Sequence, residues 1–283
     1  MSPTPSPARA PAAPGTALYL YAVCRPGSDA CGNTLTGVPG HPGGGTVRTL
    51  TVGPLTAVVQ DVPAAEYTEE ALRDRLAERT FLERCARTHH EVIADAASRA
   101  DTLPLPLATL YLGEDSLRDV LHRDAGRFGA ALDRIAGREE WGVKVYAAAH
   151  LDAPHDPPAA APAEPSANSG RAYLDRLRDR NRTRRERADD AVRVAQRVES
   201  ALRGTAVAVR RLRTHATQTT GGDGTQVLNA ACLMPRGQEP ALARTVTRLR
   251  TSEGVHIEVT GPWVPYSFVD DASAGESADD HAR

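Results

Sequence analysis

Tyr19 and Tyr21 alternate with Leu18 and Leu20 in the run Ala17–Val23, and this period of two predicts a strand. Two more strands are expected at Thr46–Val52 and Leu55–Gln60, joined by the turn residues Gly53 and Pro54. The period then changes. Thr68 stands before Glu69 and Glu70, a helix start in which a hydroxyl caps free amides and negative charge meets the positive helix end. Leu82, Cys85, His89, Val92, Ile93 and Ala96 follow at helical spacing and predict a longer helix with one buried face. Thr102–Tyr111 carries two prolines, so it is expected to run extended at a sheet edge. Short amphipathic helices are expected at about 114–122 and 125–136, the second stopped by Gly137.

The second half opens on the strand Glu140-Trp141-Gly142-Val143-Lys144-Val145-Tyr146, which reads as the hinge of the chain. An exposed linker, Ala153–Ser169, holds five prolines. A helix is predicted over Gly170–Arg203, with Ala188, Ala191, Ala195, Val198 and Leu202 forming its apolar stripe. Strands at Thr205–Leu212 and Gln226–Met234 flank a Gly221-Gly222-Asp223-Gly224 turn, followed by a helix at about 238–252 and a strand at Val255–Thr260. This is the β-α-β-β-α-β order of a ferredoxin-like domain. The predicted class is α+β with two domains. Residues 1–15 form a disordered tail, 16–137 an N-terminal α+β domain, 138–269 a ferredoxin-like domain containing the linker at 153–169, and 270–283 an acidic tail.

Composition narrows the function classes. A length of 283 residues suits two cores, and aromatics at 4% leave those cores to Leu, Val and Ala. A net charge of −2 gives no global attraction to nucleic acid or membrane. No apolar run approaches the ~18 residues of a membrane span, and the first 15 residues lack the apolar segment of a secretory signal, so a soluble cytoplasmic protein is expected. Cys85 and Cys232 fall in apolar stretches and read as core residues; Cys24 and Cys31 could bridge if their loop folded back.

Candidate chemistry is sparse. His89 lies in the apolar stripe of its helix and reads as a core histidine. His90-Glu91 lacks the second histidine of a zinc-protease helix. No nucleophile elbow, phosphate loop or dinucleotide fingerprint is present, and no metal, cofactor or catalytic group is expected. Residues 171–203 carry eleven arginines against six acidic groups. They spread around the helix, which favours a solvated or protein-docking surface over nucleic acid. Trp263, Tyr266 and Phe268 cluster between prolines near the end of the chain, as packing residues or as an aromatic anchor for a partner.

Taken in order, several stretches resemble one family, the gas vesicle accessory proteins GvpF/GvpL. They are Leu18–Val23, Gly53–Val59 followed by Asp61-Val62-Pro63, Ala86-Arg87-Thr88-His89, Leu103-Pro104-Leu105 with Thr109, Glu140–Tyr146, Gly170–Leu174 and Gly261–Val269. Two stretches depart from the family pattern. Val264 replaces a second proline, and Pro106-Leu107-Ala108 stands where the family usually has Arg-Phe-Gly. The resemblance implies a non-enzymatic protein of gas vesicle assembly that binds the small hydrophobic shell protein and other accessory proteins. On this reading Trp263, Tyr266 and Phe268 supply apolar contact in a groove between the domains, and Arg180, Arg184 and Arg187 pair with acidic groups of the partner. Two other classes are weighed against it: a ligand-binding enzyme working through His89 or His90, and an RNA-binding protein using the arginine-rich helix.

Overall fold

The computed structural model describes residues 15–25, 38–148, 169–214, 224–253 and 255–269. The proline-rich start, Cys31, nearly all of the linker, the first residues of the glycine turn and the acidic tail lie outside the described residues. The chain forms two compact units. One is the single stretch Glu140–Pro262; the other combines the chain up to Glu139 with the segment from Trp263 onward. The aromatic ending, expected with the second domain, therefore groups with the first unit.

In the first unit, strands β1 (Thr16–Cys24), β2 (Arg48–Val52), β3 (Leu55–Pro63), β4 (Thr102–Pro104) and β5 (Leu110–Tyr111) form one sheet, in the order β2-β3-β1-β4 with β5 also on β1. The two prolines act as expected: β4 and β5 are short pieces sharing one edge of β1. β1 and β3 run antiparallel, with a register shift between Leu20 and Ala22. A bulge re-aims the side chains of its strand. Here the consecutive residues Tyr21 and Ala22 both join a cluster with Tyr19, Val58 and Val62 that packs on Val92, Ile93 and Ala96. Leu18, Leu20 and Val23 are buried as well, so β1 is covered on both faces.

Four helices, α1 (Glu69–Ala77), α2 (Arg79–Arg99), α3 (Glu114–Arg123) and α4 (Ala125–Ile135), complete this unit. Thr68 caps α1, its hydroxyl accepting from the Ala71 amide at 3.2 Å. The buried face of α2 starts at Phe81, not at the predicted Leu82, which is exposed. Position 81 continues the 85–89 row by one turn, and the Arg75 and Arg84 guanidinium groups lie over its ring at 4.2 and 5.5 Å. Cys24 is disulfide-bonded, whereas Cys85 and Cys232 are free and buried.

The second unit contains β6 (Arg138–Ala148), α5 (Ser169–Arg203), β7 (Ala208–Arg211), β8 (Gly224–Pro235), α6 (Glu239–Glu253) and β9 (Val255–Trp263). Its sheet runs β7-β8-β6-β9. Alternate residues Trp141, Val143 and Val145 of β6 meet Leu228, Ala230, Cys232 and Met234 of β8 beneath Ala195, Val198 and Leu202 of α5 and Leu242, Val246 and Leu249 of α6. The predicted stripe of α5 is thus buried in its last two turns. Glu199, nearly buried on that helix, accepts from Arg203 and from Arg211 of β7, each at 2.5 Å, and ties the helix end to the sheet edge. Gly261 has φ 144, and a β-carbon there would lie 2.9 Å from the Trp141 ring and 3.0 Å from the Glu140 carbonyl. Only glycine lets β9 approach the start of β6 so closely.

Candidate partner-binding surface

β9 delivers Trp263 at its end, and Pro265 allows no return to the sheet. A 3-10 turn over Tyr266–Phe268 follows, closed by the Tyr266 amide on the Val264 carbonyl at 2.7 Å and the Phe268 amide on the Pro265 carbonyl at 3.3 Å. Val264 and Tyr266 pack against the first unit's cluster of Tyr19, Tyr21, Val92 and Ile93. Phe268 is buried at 7% exposure, with its carbonyl 3.5 Å from the Arg134 guanidinium. Trp263 differs. It remains 47% exposed, its ring edge-on to His90 of α2 at 5.9 Å between centroids. His90 also lies 3.4 Å from the Tyr266 hydroxyl through Nδ1. The three aromatics expected as one contact set therefore separate: Phe268 in the interior, Tyr266 half-buried, and Trp263 held open on a fixed backbone.

His89 is fully engaged by the fold. Its Nε2 is 3.1 Å from the Leu105 carbonyl, which can only accept, so Nε2 carries the hydrogen. Its Nδ1 then accepts from the Tyr19 hydroxyl at 3.0 Å, and that oxygen in turn accepts from the Ala108 amide at 2.9 Å. Burial holds the imidazole down to about 4, against the pull of the Leu105 hydrogen bond. A neutral ring with both nitrogens committed to structure has no lone pair to offer a metal or a substrate proton. Among the described residues no three His, Cys, Asp or Glu side chains gather as metal ligands.

Arg180, Arg184 and Arg187 lie on α5, but their side chains are outside the described residues. Their neighbours Arg178, Arg182 and Arg185 are exposed, with Arg182 3.5 Å from Glu186. Two structural features leave almost no mark in the sequence. One is the pairing of His90 with residues 173 and 176 positions away. The other is a buried cage around His41 and Gln60, whose only trace in the sequence is the density of glycine from 40 to 45.

A family model described as "Gas vesicle synthesis protein GvpL/GvpF" matches residues 17–270, both units of the fold. The chain belongs to the GvpL/GvpF family. It is 36% identical over 250 residues to gas vesicle protein L of a Streptomyces species, covering 88% of this chain and 91% of that one. It is 28% identical to gas vesicle protein L2 of Halobacterium salinarum, covering 98% and 99% of the two chains. The crystal structure of GvpF from Anabaena sp. PCC7120 superposes with a TM-score of 0.59 at 20% identity, covering 90% of this chain and 96% of that one. GvpF from Microcystis aeruginosa gives 0.56 at 17% identity, covering 89% and 98%. At these identities the two structures establish the shared fold of mixed helix and sheet. Membership in the GvpL/GvpF family supports a role in gas vesicle assembly. No helix among the described residues is long and apolar enough to cross a membrane.

Proposed function

We propose that this GvpL/GvpF protein is a non-enzymatic accessory or minor structural component of gas vesicles that binds the small hydrophobic shell protein, keeping it from aggregating or nucleating the shell. The observation that carries this reading is Trp263, a large aromatic left 47% exposed while the residues after it are packed. Tryptophan is among the residue types enriched at the energetic centres of protein interfaces. Trp263 makes the apolar contact, with Tyr266 and His90 fixing its orientation, and Phe268 supports the turn from inside. Arg180, Arg184 and Arg187 add charge pairing with acidic groups of the shell protein or of other accessory proteins. The second unit, with its β-α-β-β-α-β order and strand order β7-β8-β6-β9, is read as a ferredoxin-like domain that carries this arginine-rich helix.

Co-expression with the shell subunit followed by affinity capture tests this. The wild-type chain is expected to hold shell protein in solution and to co-elute with it. Trp263→Ala is expected to weaken capture at least tenfold with unchanged thermal stability, since an exposed aromatic anchor contributes about 2 kcal/mol or more to binding and little to folding. Undiminished capture by the variant removes Trp263 from the interface.

A further inference from the structure

Gln60 of β3 is buried, and its amide is saturated in an unusual way. Its Oε1 accepts from the Tyr21 hydroxyl at 2.6 Å and from the His41 amide at 2.8 Å. Its Nε2 donates to the carbonyls of His41 at 3.0 Å and Gly45 at 2.8 Å. One side chain thus plays the part of a neighbouring strand, fastening the glycine-rich loop 38–47 over the face of the sheet. The Gly45 amide adds a bond to the Asp61 carbonyl at 2.7 Å. The glycines are there for proximity: a β-carbon on Gly40 or Gly44 would lie within 2.5 Å of the Gln60 amide.

From this loop His41 points inward and is 3% exposed. Its ring stacks on Tyr21 at 5.5 Å with a 13° tilt, and lies 4.5 Å from Tyr19 and 6.2 Å from Tyr67. Neither Nδ1 nor Nε2 has a hydrogen-bond partner among the described residues. The groups around it are Tyr19 and Tyr21 from β1, Gln60 from β3, Tyr67 ahead of α1 and His89 from α2, with Cys85 close to the three tyrosines. Glu66 stands at the rim beside Gly43 and is paired with Arg75 at 2.9 Å. Among the described residues no carboxylate pairs with the ring. His41 and His89 both sit in this cage, yet only His89 has partners for both nitrogens.

We propose that His41 is an acid-released plug: protonation of its ring frees loop 38–47 from the sheet while the sheet itself stays folded. An imidazolium in this cage has a second histidine for a neighbour and, among the described residues, no acceptor for either N–H, so the charged ring is better accommodated in water. Burial, with His89 adding to it, takes His41 from an ordinary 6.5 to about 4. The closed loop is therefore held fully above about pH 6.5, and the hold weakens as pH falls toward 4. On these values the open fraction rises about 20-fold between pH 7 and pH 5.

Amide hydrogen exchange on the full chain reads this directly. Corrected for intrinsic rates, protection at His41 and Gly45 is expected to fall about 20-fold from pH 7 to pH 5, with the β3 amides of Leu55–Val59 better protected than the loop at both pH values. His41→Phe keeps an uncharged ring in the cage and is expected to flatten the loop's pH response, whereas His89→Gln leaves it in place. Protection of β3 no greater than that of the loop at pH 5, an equal fall in His41→Phe, or no fall in the wild type overturns the proposal. If His41→Phe does not fold, the ring of His41 is titrated by NMR in the wild-type chain. A midpoint near 6.5 with the loop still protected also overturns it.

Discussion

Ala108 has φ 64, in the left-handed region where a β-carbon costs about 1–2 kcal/mol. Its amide donates to the Tyr19 hydroxyl, which in turn holds His89, so the conformation is fixed by the cage it helps to close. The GvpL/GvpF family usually has glycine at this place after its Leu-Pro-Leu run. Ala108→Gly is therefore expected to raise stability by up to about 1 kcal/mol, the relief of strain being partly offset by the freer unfolded chain. A higher urea midpoint at unchanged slope would register it. Gly261→Ala goes the other way. A β-carbon against the Trp141 ring and the Glu140 carbonyl, at φ 144, is expected to cost about 2–3 kcal/mol in the same assay. The sequence showed both positions as members of motifs but not why they matter. Each is governed by an atom far along the chain: Tyr19 for residue 108, and Trp141 for residue 261.

Helix α1 is short and carries exposed charge, so its start depends on the Thr68 hydroxyl. Thr68→Ala is expected to cost about 1 kcal/mol and to raise exchange in the first turn of α1 before any other helix responds. That element was legible because a cap is a local signal. The face of α2 was legible too, from spacing alone, with one slip at its first turn. Phe81 and Leu82 both fit a helical row, and the choice between them is made by what packs opposite. Strand β7 is shorter than the run 205–212 suggested, for a reason visible only in three dimensions. The amides of Gly204, Thr205 and Ala206 bond back to Ser200 and Leu202, closing the end of α5, and so are lost to the ladder. Strand β9 is longer than expected, passing through Gly261 and Pro262, because an edge strand tolerates a residue without a donor.

At the scale of the whole molecule, one unit is a continuous stretch and the other is assembled from both sides of it. A chain ending at Pro262 retains every core residue of the second unit and lacks Val264 and Tyr266, which pack on the first. Limited proteolysis of that truncation is expected to cut within 38–139 sooner than in the full chain while β6, β8, α6 and β9 stay as resistant as before; an unchanged rate within 38–139 would show that the ending contributes nothing to the first unit. For the same reason, removal of the aromatic ending is a poor probe of binding, and the single change at Trp263 is the informative one. The membership of this segment could not be read from the sequence, since its decisive neighbour, His90, lies 176 residues from Tyr266. Synthesis gives this topology a temporal side. After Glu139 leaves the ribosome, 123 further residues must be translated before Trp263, a delay of about 6–25 s at typical elongation rates. Throughout that interval the patch later covered by Val264 and Tyr266 stands uncovered, while the second unit is still being made. The part of the protein translated first is thus the part finished last.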